Sequence, residues 1–209
     1  MIRIFVEGRD AQFLEKYLLF LWGENREKWE ILRTNGYTNL PLLDQQFKEN
    51  TEQGGVNLII FDADFPQNGG GYDQRRKYLQ KQLNDLLSVS AEIFLFPNNR
   101  DDGDFEVLLE HIVNEEHACL LKCFEGYEKC VAGHVNPDGS LKYLSPNRKA
   151  KIYAYIESFK KSRKETERFK KQKDFFFDNP QYWNLETEYL SPLKDFLQSA
   201  ENKHSNSAL

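Results

Sequence analysis

The chain has 209 residues, of which 40% are apolar and 14% aromatic, enough for one large domain or one domain with an elaboration. Its net charge of −5 excludes a polycation, and no apolar run is long enough to cross a bilayer. The start, Met1-Ile2-Arg3-Ile4-Phe5, lacks a signal-peptide pattern, and three cysteines, an odd number, point to reduced thiols in the cytoplasm.

Ile2 to Val6 predicts a first strand that ends in Glu7-Gly8, where the glycine permits a tight turn. Asp10 is placed to cap a helix carrying Phe13, Leu14, Tyr17, Leu18 and Leu21 on one face. Trp29 to Leu32 predicts a second strand, Asn35-Gly36 a turn, and Pro41 to Lys48 a helix. Leu58 to Asp64, Leu-Ile-Ile-Phe-Asp-Ala-Asp, lies between Gly54-Gly55 and Pro66 and predicts a buried strand ending in two acids. Alternate residues of an extended strand share a face. Two carboxylates on one face repel unless a cation lies between them, so Asp62 and Asp64 are candidate ligands for Mg²⁺ or Mn²⁺. The plainer reading is a pair of solvated or helix-capping aspartates.

Pro66 to Gly71 is glycine-rich but lacks the Lys-Ser/Thr of a P-loop, so it predicts a turn before a helix over Asp73 to Leu87. That helix is apolar at Tyr78, Leu79, Leu83, Leu86 and Leu87. Ile93 to Phe96 predicts another strand, followed by a loop carrying Asp101, Asp102, Asp104 and Glu106. Asp102 or Asp104 suffices to cap the helix running to about Asn114, which leaves acids over for a metal or water-positioning role. Alternating strands and helices imply an α/β fold with a mainly parallel sheet flanked by helices. Glu7, the Asp62/Asp64 pair and the Asp102, Asp104 and Glu106 cluster then converge on one rim, as in a two-metal phosphoryl-transfer site.

Cys119, Cys123 and Cys130 share one helical face, flanked by His117 and His134; without a Cys-x-x-Cys pair they read as small buried hydrophobes. Asn136-Pro137-Asp138-Gly139 is a strong turn signal. Lys149 to Phe159 predicts a helix with Ile152, Tyr155, Ile156 and Phe159 inward. From Arg148 to Lys173, eleven Lys or Arg stand against three Glu, a local +8 that leaves −13 for the rest. Lys160 to Lys173 reads either as a solvated arm or as a phosphate-contacting lid. Lys149 and Lys151 are candidates to neutralise charge developing on a phosphate. Pro180 to Leu197 predicts a docking segment and Glu201 to Leu209 a frayed tail. The expected organisation is a core over 1–115, a helical elaboration over 116–200 and a flexible tail over 201–209.

Val6-Glu7-Gly8 and Asp62-Ala63-Asp64, in that order, resemble the Toprim domain, the metal-dependent catalytic domain of topoisomerases, bacterial primases and OLD-family nucleases. The acids at 101–106 look like the additional acidic patch of OLD-type members. The whole chain is more closely similar to a small stand-alone Toprim-related bacterial family of unknown function. Phe96 to Leu109, Lys151 to Tyr155 and Pro192 to Leu197 carry that closer match. The resemblance implies Glu7 as general acid or base and Asp62 and Asp64 as Mg²⁺ ligands.

The first expectation is therefore a Mg²⁺-dependent phosphodiesterase or nuclease, with Glu7, Asp62 and Asp64 at one cation and Asp102, Asp104 and Glu106 at a second. Leu58 to Asp64 is also similar to the nucleophile motif of haloacid-dehalogenase-type phosphatases. That motif normally opens its fold, and here a strand bearing Glu7 comes first and Pro66 stands where Thr or Val is usual. The third expectation is a non-catalytic module that binds a metal, a protein partner or nucleic acid.

Overall fold

The computed structural model describes residues 1–24, 26–85 and 89–207. The chain forms two compact units, Met1–Leu108 with Leu185–Leu209, and Leu109–Asn184.

The first unit is built on β1 (Ile2–Val6), β2 (Trp29–Arg33), β3 (Val56–Asp62) and β4 (Glu92–Phe96). All pairings are parallel, in the order β2-β1-β3-β4. β3 and β4 are near-continuous apolar runs because both of their faces are covered, while β2 at the edge carries Glu30 and Arg33. On one face Phe5, Ile59, Phe61, Ile93 and Leu95 pack with Leu79 of α3 (Tyr72–Asp85) and Phe47 of α2 (Asp44–Glu52). The Phe5 and Phe47 rings stack at 3.7 Å. On the other face Phe94 meets Phe196 of α8 (Ser191–Ser207), and Phe96 meets Phe105, the first residue of α4 (Phe105–Ile112). Phe105 in turn meets Phe13 of α1 (Asp10–Trp22). The protein is thus an α/β fold of the doubly wound, Rossmann-like kind, with further helices toward its C-terminus.

Strand order decides where a ligand belongs. From β1 the chain winds one way to β2 and the other way through β3 to β4, so the order reverses between β1 and β3. The carboxyl ends of these two strands, in register at Val6 and Ile60, flank the crevice where such sheets bind ligands.

Several local expectations shift. The helix expected at Pro41 starts as a 3₁₀ turn over Tyr37–Leu43, and α2 follows it. The helix expected to Leu87 is described to Asp85, so Leu86 and Leu87 lie outside the described residues. The stretch expected to fray from Glu201 is helical through Ser207, held by Glu201 to Lys28 at 3.1 Å and Lys203 to Glu92 at 2.8 Å. By its contacts α8 belongs to the sheet unit, not to the helical one.

The second unit holds α5 (Ala118–Ala132), α6 (Arg148–Glu157) and α7 (Arg163–Glu167), which runs into one π-helical turn over Arg168–Gln172. Its core is aromatic: Tyr155, Phe169, Phe175, Phe176, Phe177, Tyr182 and Trp183 are buried. Two of these rings donate from their polar ends, Trp183 Nε1 to Phe175 O at 2.8 Å and Tyr155 Oη to Tyr182 O at 2.5 Å. Ser162 and Glu165 form a capping box at the start of α7, so the basic run is ordered there and anchored by Phe169. Cys119, Cys123 and Cys130 are exposed, which corrects the expectation that they are core residues. The buried positions of α5 are Leu121 and Val131, whose larger apolar surface takes the inward stripe. Among the described residues no helix is long and apolar enough to cross a membrane.

Candidate functional site

Glu7 is the residue after β1, and the pairing of Val6 with Ile60 sets it beside the end of β3. The main-chain amide of Asp62 lies against its carboxyl group and favours the charged form. Glu7 Oε1 itself is buried and has no hydrogen-bond partner. Burial pushes the Glu7 carboxyl up from 4.5 to about 7; Arg75 opposes this, while Asp64 and Asp10 add to it.

Asp62 is the last residue of β3. Its Oδ1 accepts a hydrogen bond from the Phe105 amide at 2.8 Å, so it sits at the positive end of α4. Burial, and then the charges of Asp10, Glu7, Glu106 and Asp64, still push its carboxyl well above the usual range.

Asp10 was expected to cap α1. It is instead the first helical residue, with Arg9 in the cap position, and its Oδ1 accepts from the Gly8 amide at 2.8 Å. It is 6% exposed, and burial raises its carboxyl to about 6 against the pull of the surrounding main-chain amides.

Asp64 departs from the strand expectation. β3 stops at Asp62, and Asp64 has a φ of +60°, in the left-handed region. Its carbonyl accepts from the Gly103 amide at 2.9 Å. The turned backbone sends its carboxylate to Arg75 of α3, with which Oδ2 forms an ion pair. Arg75 is 5% exposed, and its guanidinium lies 3.4 Å from the centre of the Tyr37 ring. Its Nε is buried and has no hydrogen-bond partner.

Gly70 makes this turn possible. A Cβ there would lie 2.4 Å from Asp64 Cβ and 2.8 Å from the Ala63 carbonyl oxygen. Gly70→Ala is expected to destabilise the protein by about 2 kcal/mol, the size of other overpacking changes. A urea titration checks this, and an unchanged midpoint would show that the loop yields freely.

The third acidic cluster divides. Asp102 Oδ1 accepts from the Tyr72 amide at 2.6 Å and caps α3, not the helix that follows it. Asp104 Oδ1 accepts from the Val107 amide at 3.1 Å and caps α4. Asp101 is exposed and paired with Arg100. Glu106 is close enough for its charge to raise Asp62.

Lys149 and Lys151 belong to the second unit. Lys149 is exposed on α6. Lys151 is largely buried, with Nζ 3.1 Å from Glu110 and 3.8 Å from both Glu125 and Glu128. Its charge is therefore answered within that unit by three carboxylates.

The structure thus brings Glu7, Asp62, Asp64 and Glu106 into one electrostatic cluster and adds Asp10, expected only as a helix cap, and Arg75, which the sequence did not single out. Asp10 gave a usable signal, an acid three residues beyond Glu7 at a strand-to-helix turn. Arg75 gave none, because it is one of several basic residues on a polar helix. Among the described residues no three His, Cys, Asp or Glu side chains are disposed to hold a metal ion as they stand, with Asp62 turned to Phe105 and Asp64 to Arg75.

A family model described as a protein of unknown function, DUF3226, matches residues 2–202. The chain belongs to that family. No curated protein matches it, and no solved structure does. The DUF3226 match takes in both units and every residue placed above from Glu7 to Lys151.

Proposed function

We propose that this DUF3226 protein is a Toprim-like, Mg²⁺- or Mn²⁺-dependent phosphoryl-transfer enzyme, a nuclease or phosphodiesterase. The supporting observation is the placement of Glu7 against Asp62 at the reversal point of the sheet, with Glu7 Oε1 buried and unpartnered. Buried carboxylates held beside one another cost stability, and such costs gather at functional sites.

The residues fit a hard divalent cation by chemistry. The donors are all carboxylate oxygens, and Oε1 is an acceptor with nothing to accept. Asp62 and Asp64 would hold the cation with Glu7 at its side, and Glu106 is the remaining acid for a second ion, since Asp102 and Asp104 cap helices. A bound cation would supply Lewis-acid polarisation of a phosphate oxygen and a more acidic water. Glu7 exchanges a proton with the attacking or leaving oxygen, a task that suits a carboxyl raised to about 7. The α4 N-terminus orients Asp62 through the Phe105 amide.

The second reading is a non-catalytic module that binds a metal, a protein partner or nucleic acid. Calorimetry with Mn²⁺ on the whole chain, paired with Mg²⁺-dependent cleavage of single-stranded DNA, RNA and bis(p-nitrophenyl) phosphate, separates the two. The enzyme reading expects cation binding and cation-dependent turnover. Tight Mn²⁺ binding without turnover favours the module, and no Mn²⁺ binding removes the metal from both.

A further inference from the structure

Arg75 lies inside the acidic cluster, held there by its surroundings. It is 5% exposed, its guanidinium is stacked 3.4 Å from the Tyr37 ring centre, and Nη2 is paired with Asp64 Oδ2. Arginine is suited to such a position because it stays charged when buried and its flat guanidinium stacks on an aromatic face. The pairing is also incomplete, since the buried Nε has no partner. A guanidinium whose purpose was only to anchor α3 would be expected to satisfy that donor with the main chain. Asp64, for its part, is 35% exposed at the side chain, so one of the two partners is open to solvent.

Resting on the cation reading above, we propose that Arg75 is a positioning residue that serves as the resident counter-cation of the site. It holds Asp64 in the cation-free protein and must give that carboxylate up when a divalent ion binds. The ion and the guanidinium then compete for one ligand, and the protein's cation affinity is set partly by the strength of the Arg75–Asp64–Tyr37 arrangement.

The sign of the effect makes this testable. Arg75→Gln removes the competitor, so Mn²⁺ binding measured by calorimetry on the whole chain is expected to tighten by about tenfold. Arg75→Lys keeps the charge but loses the flat face that stacks on Tyr37, so its Mn²⁺ binding is expected to fall between that of the parent and that of Arg75→Gln. A purely structural arginine predicts the reverse, weaker binding in Arg75→Gln with the site disorganised. If Arg75→Gln does not fold by circular dichroism, Tyr37→Leu loosens the same guanidinium and is expected to tighten Mn²⁺ binding in the same direction. Parent and variant binding Mn²⁺ equally, or the variant more weakly, overturns the role of Arg75 while leaving the cation site standing. No Mn²⁺ binding by the parent or any variant overturns the cation reading, and the role of Arg75 with it.

Discussion

Glu7→Gln is expected to abolish cation-dependent phosphodiester cleavage and, at the same time, to stabilise the cation-free protein at pH 8. The first effect follows from its proposed role, because a carboxamide of the same shape cannot accept or return a proton; the loss is about 10³-fold in turnover, within the range general acid–base groups contribute. The second follows from burial. At pH 8 the parent carries an ionised Glu7 whose Oε1 is buried without a partner, and burial has moved its carboxyl from 4.5 to about 7. Gln removes that charge and is expected to contribute about 2 kcal/mol, a rise in melting temperature of about 5 °C for a chain of this size. At pH 5 the carboxyl is largely protonated in the folded protein, so the gain should fall to about a quarter of its value at pH 8. Differential scanning calorimetry at both pH values, beside a turnover assay, reads all three. Parent-like turnover in the variant would remove Glu7 from the chemistry, and an equal gain at both pH values would show that ionisation is not what the burial opposes.

The cation-free parent is itself expected to lose stability as pH rises. Glu7 and Asp10 are both raised, to about 7 and about 6 from 4.5 and 3.8. A raised carboxyl holds more protons folded than unfolded between its two values, and stability falls with pH wherever that is so. The contribution is fully present below about pH 4, declines through pH 6 and 7, and is gone by pH 8. Each pH unit across a single such group is worth about 1.4 kcal/mol, so Glu7 alone accounts for roughly 3 kcal/mol between pH 4 and 8. Asp62, raised in the same direction, adds to the slope. Denaturant titrations at pH 5 and 8 check this, and Mn²⁺ added at pH 8 is expected to restore the loss by binding only the folded, deprotonated form. Stability that is flat or rises from pH 5 to 8 would mean that these carboxyls are better solvated than their burial implies.

Much of the acidic cluster was legible along the chain. Glu7 and Asp62 each follow an apolar run that could only be an inner strand, and parallel strands put their carboxyl ends on one edge. Asp64 was legible as a residue but not as a direction. The period of two held through Asp62 and broke where Gly70 and Gly103 fold the backbone to a φ of +60°. Lys149 and Lys151 stand in the most positive stretch of sequence, and Lys151 is paired within its own unit with Glu110, Glu125 and Glu128. Arg75, a cation paired with Asp64, comes from a helix whose sequence gave no sign of it.

By itself the sequence determined the strands, most helices and the mainly parallel α/β architecture, because apolar periodicity and strand-to-helix alternation are local properties. It also determined which carboxylates close those strands. Only the tertiary structure decided that β1 and β3 are neighbours, that Asp10 and Arg75 join the cluster, that Asp102 and Asp104 cap helices and that the three cysteines face outward. Those outcomes depend on burial and on distances between segments remote in the chain, and neither quantity is written in the spacing of residues along it.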